Sequence, residues 1–357
     1  MTTATARVVV ADDSALMRRI VSNSLTRAGL RVVGTAADGD QALAVCERER
    51  PDAMTLDLAM PGLDGLGVLR RLKEIRAQGR PTLPVVVVSA FSPSQGARAV
   101  DALAEGAFDL VSKPAVGEGL DEFAESVVSK VRLAAASNAN GNGTAHAPAP
   151  RRAVPARPAA PAPRPHLRPA GLARAVVIAT STGGPRALAD LVPKLPSPLG
   201  SGTLIVQHMP AGFTTSLAAR LDRSSKLNVR EAAGGESLDP GTALLAPGGK
   251  HLRLSDDGRA RLTDEPEVGG LRPRADLTIK DAARIWGPRL LLVVLTGMGN
   301  DGLAGATEVH KRGGRILAES EESCTVYGMP RAVVEAKLVD DVMSLDRLAT
   351  AIAAEAS

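Results

Sequence analysis

The chain has 357 residues, 44% apolar and 23% charged, which suits two ordinary globular domains better than one core. Its net charge of +4 is local: residues 1–133 carry 16 basic and 17 acidic side chains, 134–171 carry five arginines and no acid, and 172–357 carry 22 of each sign. That argues against a nucleic-acid surface. The longest apolar run, LLLVVL at 290–295, is far short of a bilayer span, so no membrane insertion is expected.

The opening MTTATARVVVADDS has an aspartate pair where a signal segment would stay apolar. Cys46 and Cys324 lack close spacing and fit a reducing compartment without a metal site, so a cytoplasmic chain is expected, and a monomer. Five short β-rich segments follow: RVVVADD (7–13), RVVGTA (31–36), AMTLD (53–57), PVVVVSA (84–90) and AFDLVSK (107–113). Helix-like stretches alternate with them, the fifth expected over 117–133. Apolar strands separated by helices predict a parallel sheet in a (βα)5 sandwich, with its chemistry at the carboxyl ends of the strands.

Those ends hold Asp12 and Asp13, then Asp57, then Ser89, then Lys113. Three converging carboxylates need a neutralising cation, and oxygen ligands of this kind suit Mg²⁺, while Lys113 can pair with a phosphoryl oxygen. Any one aspartate could instead be a helix N-cap or turn residue, and Asp64 alone would be read so. Asp57 ends an apolar strand and is followed by MPGLDG at 60–65. This pattern resembles the receiver domain of two-component response regulators. The resemblance implies that Asp57 is the phosphoacceptor, that Asp12 and Asp13 hold Mg²⁺ with it, and that Lys113 contacts the phosphoryl group. It also makes Ser89 the switch hydroxyl and Phe108 the aromatic that moves with it. A phosphate adds roughly two negative charges, enough to bias a two-state loop.

Residues 134–171 contain eight prolines and almost no bulky side chain, which reads as a flexible linker between domains 1–133 and 172–357. From 172 the alternation resumes: ARAVVIATS ends at Ser181, SGTLIVQH at His208, and PRLLLVVLTGMGNDG leads to Asp301. GGRILAES and an amphipathic tail from 344 follow. A doubly wound α/β domain with a mostly parallel sheet is expected.

Singly, Ser181 could be a helix N-cap, His208 a loop histidine and Asp301 a turn residue. Together at strand ends they can ionise, orient and relay a proton, because a serine hydroxyl needs an imidazole and the imidazole needs a carboxylate. Gly183 and Gly184 would let a helix begin near Ser181 with amides aimed at an anion. That feature also fits a binding protein holding a nucleotide or phosphorylated ligand at the Ser181–Gly184 turn. No G-x-G-x-x-G is present, and no lysine follows the glycines as a Walker motif requires.

TSTGGP (180–185), QHMPAGFT (207–214), APGGKH (246–251), LTGMGNDG (295–302) and VYGMPRAV (326–333), behind a receiver and a Pro-rich stretch, resemble the chemotaxis protein-glutamate methylesterase family, CheB. The resemblance implies a Ser181–His208–Asp301 triad, with Thr180 and Thr182 flanking the nucleophile and Met298 beside the oxyanion pocket. The implied substrate is γ-glutamyl methyl ester on methyl-accepting chemoreceptors, with glutamine deamidation alongside and no cofactor in the esterase site. The implied phosphodonor is the chemotaxis histidine kinase. Ala179-Thr180 stands where the family commonly has Gly-Ala.

Overall fold

The computed structural model describes residues 5–78, 82–90, 93–114, 119–139 and 173–356. The amino-terminal unit runs β1 (Arg7–Ala11), α1 (Ala15–Arg27), β2 (Arg31–Ala36), α2 (Gly39–Glu49), β3 (Ala53–Leu56), α3 (Gly65–Ala77), β4 (Val85–Ser89), α4 (Pro93–Ala104), β5 (Asp109–Ser112) and α5 (Leu120–Ala139). Its five strands form a parallel sheet in the order β2-β1-β3-β4-β5, the expected (βα)5 receiver. Ser14, Asp38 and Asp64 accept amide hydrogens in the first turns of α1, α2 and α3, so Asp64 is indeed a cap. Helices α1 and α5 cover one sheet face, and α2, α3 and α4 the other.

One boundary differs from the sequence reading. Helix α5 starts at Leu120 rather than 117 and continues through Ala139, past the point where its alanines read as linker. Ala134 and Ala135 are buried against the receiver core, and alanine is the strongest helix former. The rest of the expected linker, 140–171, lies outside the described residues.

The carboxy-terminal unit runs β6 (Ala175–Thr180), α6 (Gly184–Leu191), β7 (Thr203–Gln207), α7 (Phe213–Ser224), β8 (Asn228–Glu231), β9 (Thr242–Leu245), β10 (His251–Leu254), β11 (Ala260–Thr263), α8 (Ala275–Trp286), β12 (Leu290–Val294), α9 (Leu303–Lys311), β13 (Arg315–Glu319), α10 (Met329–Glu335), β14 (Asp341–Met343) and α11 (Leu345–Ala356). Seven strands form one parallel sheet in the order β14-β13-β12-β6-β7-β9-β8, and β10-β11 is a separate antiparallel hairpin. The central strands are buried on both faces, by α6, α7 and α11 on one side and by α8, α9, α10 and the hairpin on the other. From β6 the chain winds outward through β7, and from β12 outward the opposite way. The crevice at the carboxyl ends of β12, β6 and β7 is therefore the switch point where α/β sheets place their sites.

The two units share a seam. Helix α4 packs on α6 and α7, an apolar contact continuous with both cores. An Arg220–Asp101 ion pair and a contact from Ser129 Oγ to Met298 Sδ at 3.6 Å reinforce it. No described helix is long and apolar enough to cross a membrane.

Candidate active site

Strands β12, β6 and β7 deliver Asp301, Ser181 and His208 to one crevice. His208 Nε2 lies 2.7 Å from Asp301 Oδ2. The Asp301 carboxylate is 2% exposed and also accepts the amides of Ala275 (2.7 Å), Asp276 (2.9 Å) and Gly302 (2.9 Å). Burial works against its charge, but the His208 contact and these amides prevail and hold the carboxyl below its ordinary 3.8, at about 2. An ionised Asp301 can only accept, so the shared hydrogen sits on Nε2 and the imidazole lone pair on Nδ1. Nδ1 is buried and has no hydrogen-bond partner among the described residues. Nδ1 is thus free to accept, and it is the opposite ring nitrogen from the one that accepts in the chymotrypsin-type triad.

The turn after β6 is held from three directions. Ser181 N–H donates to Thr296 O at 3.0 Å, and Thr180 Oγ1 donates to the same carbonyl at 2.8 Å. Glu319, fully buried, accepts the Thr296 amide at 2.8 Å, while Thr296 Oγ1 donates to Thr182 O at 2.9 Å. The Gln207 side-chain amide donates to Ser181 O (3.0 Å) and His208 O (2.8 Å), joining the turns that carry Ser181 and His208.

Gly183 caps α6 with φ of 80°, a left-handed conformation that favours glycine. A Cβ on Gly184 would lie 2.0 Å from Gln207 Oε1. The expectation that the Gly184 amide faces an anion is overturned, because it donates to Ser181 O at 2.8 Å. Pro185 has no amide hydrogen to offer, so this helix start makes a poor phosphate cradle. Neither the Thr182 nor the Met298 amide donates to a backbone carbonyl among the described residues. Met298 is 45% exposed at the crevice rim, and Thr182 is buried, its hydroxyl donating to Asp109 Oδ2 of the receiver at 2.6 Å.

In the receiver, Asp12, Asp13 and Asp57 bring carboxylate oxygens within 4.8 Å of one another. Lys113 Nζ bridges them, 2.8 Å from Asp12 Oδ2 and 2.7 Å from Asp57 Oδ2. Burial pulls the Lys113 ammonium down, but the two carboxylates outweigh it and raise its pKa. Burial lifts Asp12 above its ordinary range against the pull of Lys113. Ser89 ends β4 with its hydroxyl donating to Ala90 O at 3.3 Å, and so is turned to its own neighbour. Phe108, also buried, precedes Asp109 and lines a cavity of about 190 Å³ at the domain seam.

Residues 176–352 match the family model for CheB methylesterase, and residues 8–125 that for the response regulator receiver domain. A protein-glutamate methylesterase/protein-glutamine glutaminase of Symbiobacterium thermophilum is 43% identical, over 97% of this chain and 96% of its own. The chain belongs to the CheB methylesterase family. A second member, protein-glutamate methylesterase/protein-glutamine glutaminase 5 of Myxococcus xanthus, is 44% identical over 95% of each chain. The crystal structure of the Thermotoga maritima CheB methylesterase catalytic domain is 41% identical. It covers 51% of this chain and 98% of its own, with a TM-score of 0.50.

Sequence reasoning missed Gln207, Thr296, Glu319 and Asp109. Only Gln207 carried a signal, as a polar residue closing an apolar strand beside His208. The others act through contacts between segments distant in the chain.

Proposed function

We propose that this protein hydrolyses γ-glutamyl methyl esters on methyl-accepting chemoreceptors, and deamidates selected receptor glutamines, under control of phosphorylation at Asp57. The observation that carries this reading is the His208–Asp301 pair, which leaves Nδ1 free to accept, together with the Gln207 amide that ties the Ser181 and His208 carbonyls to one donor. Nδ1 takes the Ser181 Oγ proton as Oγ bonds to the ester carbonyl carbon, and the carbonyl electron pair moves onto oxygen. The Thr182 and Met298 amides hold that oxyanion. When the C–OMe bond breaks, the proton on Nδ1 goes to the leaving oxygen and methanol departs. Water then gives a proton to Nδ1 and attacks the acyl carbon, freeing glutamate and returning the proton to Ser181. Asp301 stays ionised throughout and steadies the imidazolium. With a glutamine side chain the leaving group is ammonia.

The receiver governs access. Asp109 grips the residue after the nucleophile, Ser129 of α5 touches Met298, and α4 packs on α6 and α7 beside them. The Asp12, Asp13 and Asp57 oxygens, all hard donors within 4.8 Å, fit Mg²⁺, which when bound neutralises charge on the incoming phosphoryl group. Lys113 exchanges its bond to Asp57 for one to a phosphoryl oxygen, and Ser89 and Phe108 carry the change to the adjacent Asp109. The phosphodonor is a chemotaxis histidine kinase in the cytoplasm. Methanol release from methylated receptor fragments, with and without a small-molecule phosphodonor, tests the reading. The parent must be active and Ser181→Ala inactive.

A further inference from the structure

Arg274, at the start of α8, meets three parts of the site with one guanidinium. Its Nε lies 2.9 Å from Asp301 Oδ1, the oxygen His208 does not use, as an ion pair without hydrogen-bond geometry. Its Nη2 donates to Asp276 Oδ2 at 3.0 Å, and its Nη1 to Val268 O at 3.0 Å. Val268 is 43% exposed on a turn whose Gly269 and Gly270 have φ of 63° and 72°. Asp276 in turn accepts the amides of Gly302 (3.0 Å) and Gly305 (2.8 Å), which seats the start of α9 behind Asp301. The Arg274 side chain is only 16% exposed, so water screens its charge weakly.

Among the described residues, three charged side chains meet at the carboxylate behind the imidazole. Asp301 and Asp276 supply two negative charges and Arg274 one positive. His251, on β10, accepts the Arg274 amide through Nδ1 and reaches Pro266 O with Nε2, so it is a neutral tautomer. Ser181 at the end of β6 is uncharged, and on the receiver side Asp109 is paired with Lys130 at 3.0 Å.

We propose that Arg274 is a positioning residue of the esterase site, sharing the Asp301 carboxylate with His208. It sets a positive charge against that carboxylate and leaves the imidazole facing one net negative charge instead of two. The inference rests on the triad assignment made above. Removing the Arg274 charge stabilises imidazolium and withdraws base. Removing the Asp276 charge does the reverse. A charge this close moves a titration by about one unit or more.

The test uses the full-length chain and reads the His208 ring nitrogens by NMR titration, with the resonance identified by its loss in His208→Gln. Arg274→Gln should raise the His208 midpoint, and the acid limb of kcat/KM, by about one pH unit. Asp276→Asn should lower both. Arg274→Lys should keep the parent midpoint but lose about tenfold in kcat, because a point charge cannot hold three partners in a fork. A scaffold role alone would lower activity without moving the midpoints in opposite directions. An unchanged or lowered midpoint in Arg274→Gln, or an unchanged or raised one in Asp276→Asn, overturns the proposal. If Arg274→Gln does not fold, Asp276→Asn and Arg274→Lys decide alone. If the parent cleaves no methyl ester while the midpoints still diverge, the functional reading fails and the assignment of Arg274 to the His208–Asp301 pair stands.

Discussion

Replacing Asp109 tests how the receiver restrains the esterase site. Its Oδ2 accepts the Thr182 hydroxyl at 2.6 Å, while Oδ1 is tied to Lys130 at 3.0 Å and to the Leu110 amide at 2.7 Å. A hydrogen bond to a charged acceptor contributes roughly 1.5–3 kcal/mol net. Losing about 2 kcal/mol from the docked form shifts the open population about 30-fold. The Arg220–Asp101 pair and the α4–α7 packing remain, so the units stay associated and the crevice opens only part of the time. Lys130 still donates to Leu110 O at 2.7 Å and is partly hydrated, which limits damage to the receiver. Asp109→Ala should therefore raise methanol release by unphosphorylated full-length protein about 10- to 30-fold. Asp109→Asn, which keeps an acceptor but loses the charge, should raise it about threefold. Activity with a phosphodonor should be unchanged in both. Basal activity equal to the parent's in a folded Asp109→Ala protein would refute the argument that this contact restrains the site.

Gly184→Ala places a methyl 2.0 Å from Gln207 Oε1 and 2.4 Å from Thr180 Oγ1, and should cost about 1–3 kcal/mol in denaturant unfolding together with most esterase activity. Gln207→Leu leaves the Ser181 and His208 carbonyls without their shared donor. A kcat at least tenfold lower with KM little changed is expected, because the lost contact positions the reacting groups and does not bind substrate. Asp301 has a folded pKa depressed from 3.8 to about 2, so its stabilising contribution is present above pH 4 and lost as pH falls towards 2. Unfolding free energies from urea titrations across that window should fall less steeply in Asp301→Asn than in the parent, by up to about 2 kcal/mol in total.

Much of the site could be read from the sequence because parallel sheets put chemistry at strand ends. Ser181, His208 and Asp301 each follow a run of buried apolar residues, and the same logic found Asp12, Asp13, Asp57 and Lys113. What stayed hidden depends on side-chain direction and on strand order. Nothing in QHMP says that His208 turns Nε2 to its carboxylate, and nothing in RPRAD says that Arg274 reaches Asp301. The placement of β9 between β7 and β8 follows from packing and not from chain order. Composition misled twice. The AAASNA stretch resembles linker but completes α5, because alanines lie flat against a receiver core. The two glycines suggested an anion cradle, yet their small size serves close contacts with Thr325 and Gln207, and the Gly184 amide is already engaged.

The central claim is that one serine, activated by His208 through Nδ1, does the chemistry under the control of Asp57. Its most direct measurement is methanol release from methylated receptor fragments by the full-length parent, Ser181→Ala and Asp57→Ala, each with and without phosphodonor. The account predicts stimulated release by the parent, none by Ser181→Ala, and a low, unstimulated rate from Asp57→Ala. Release by Ser181→Ala near the parent's rate would contradict it.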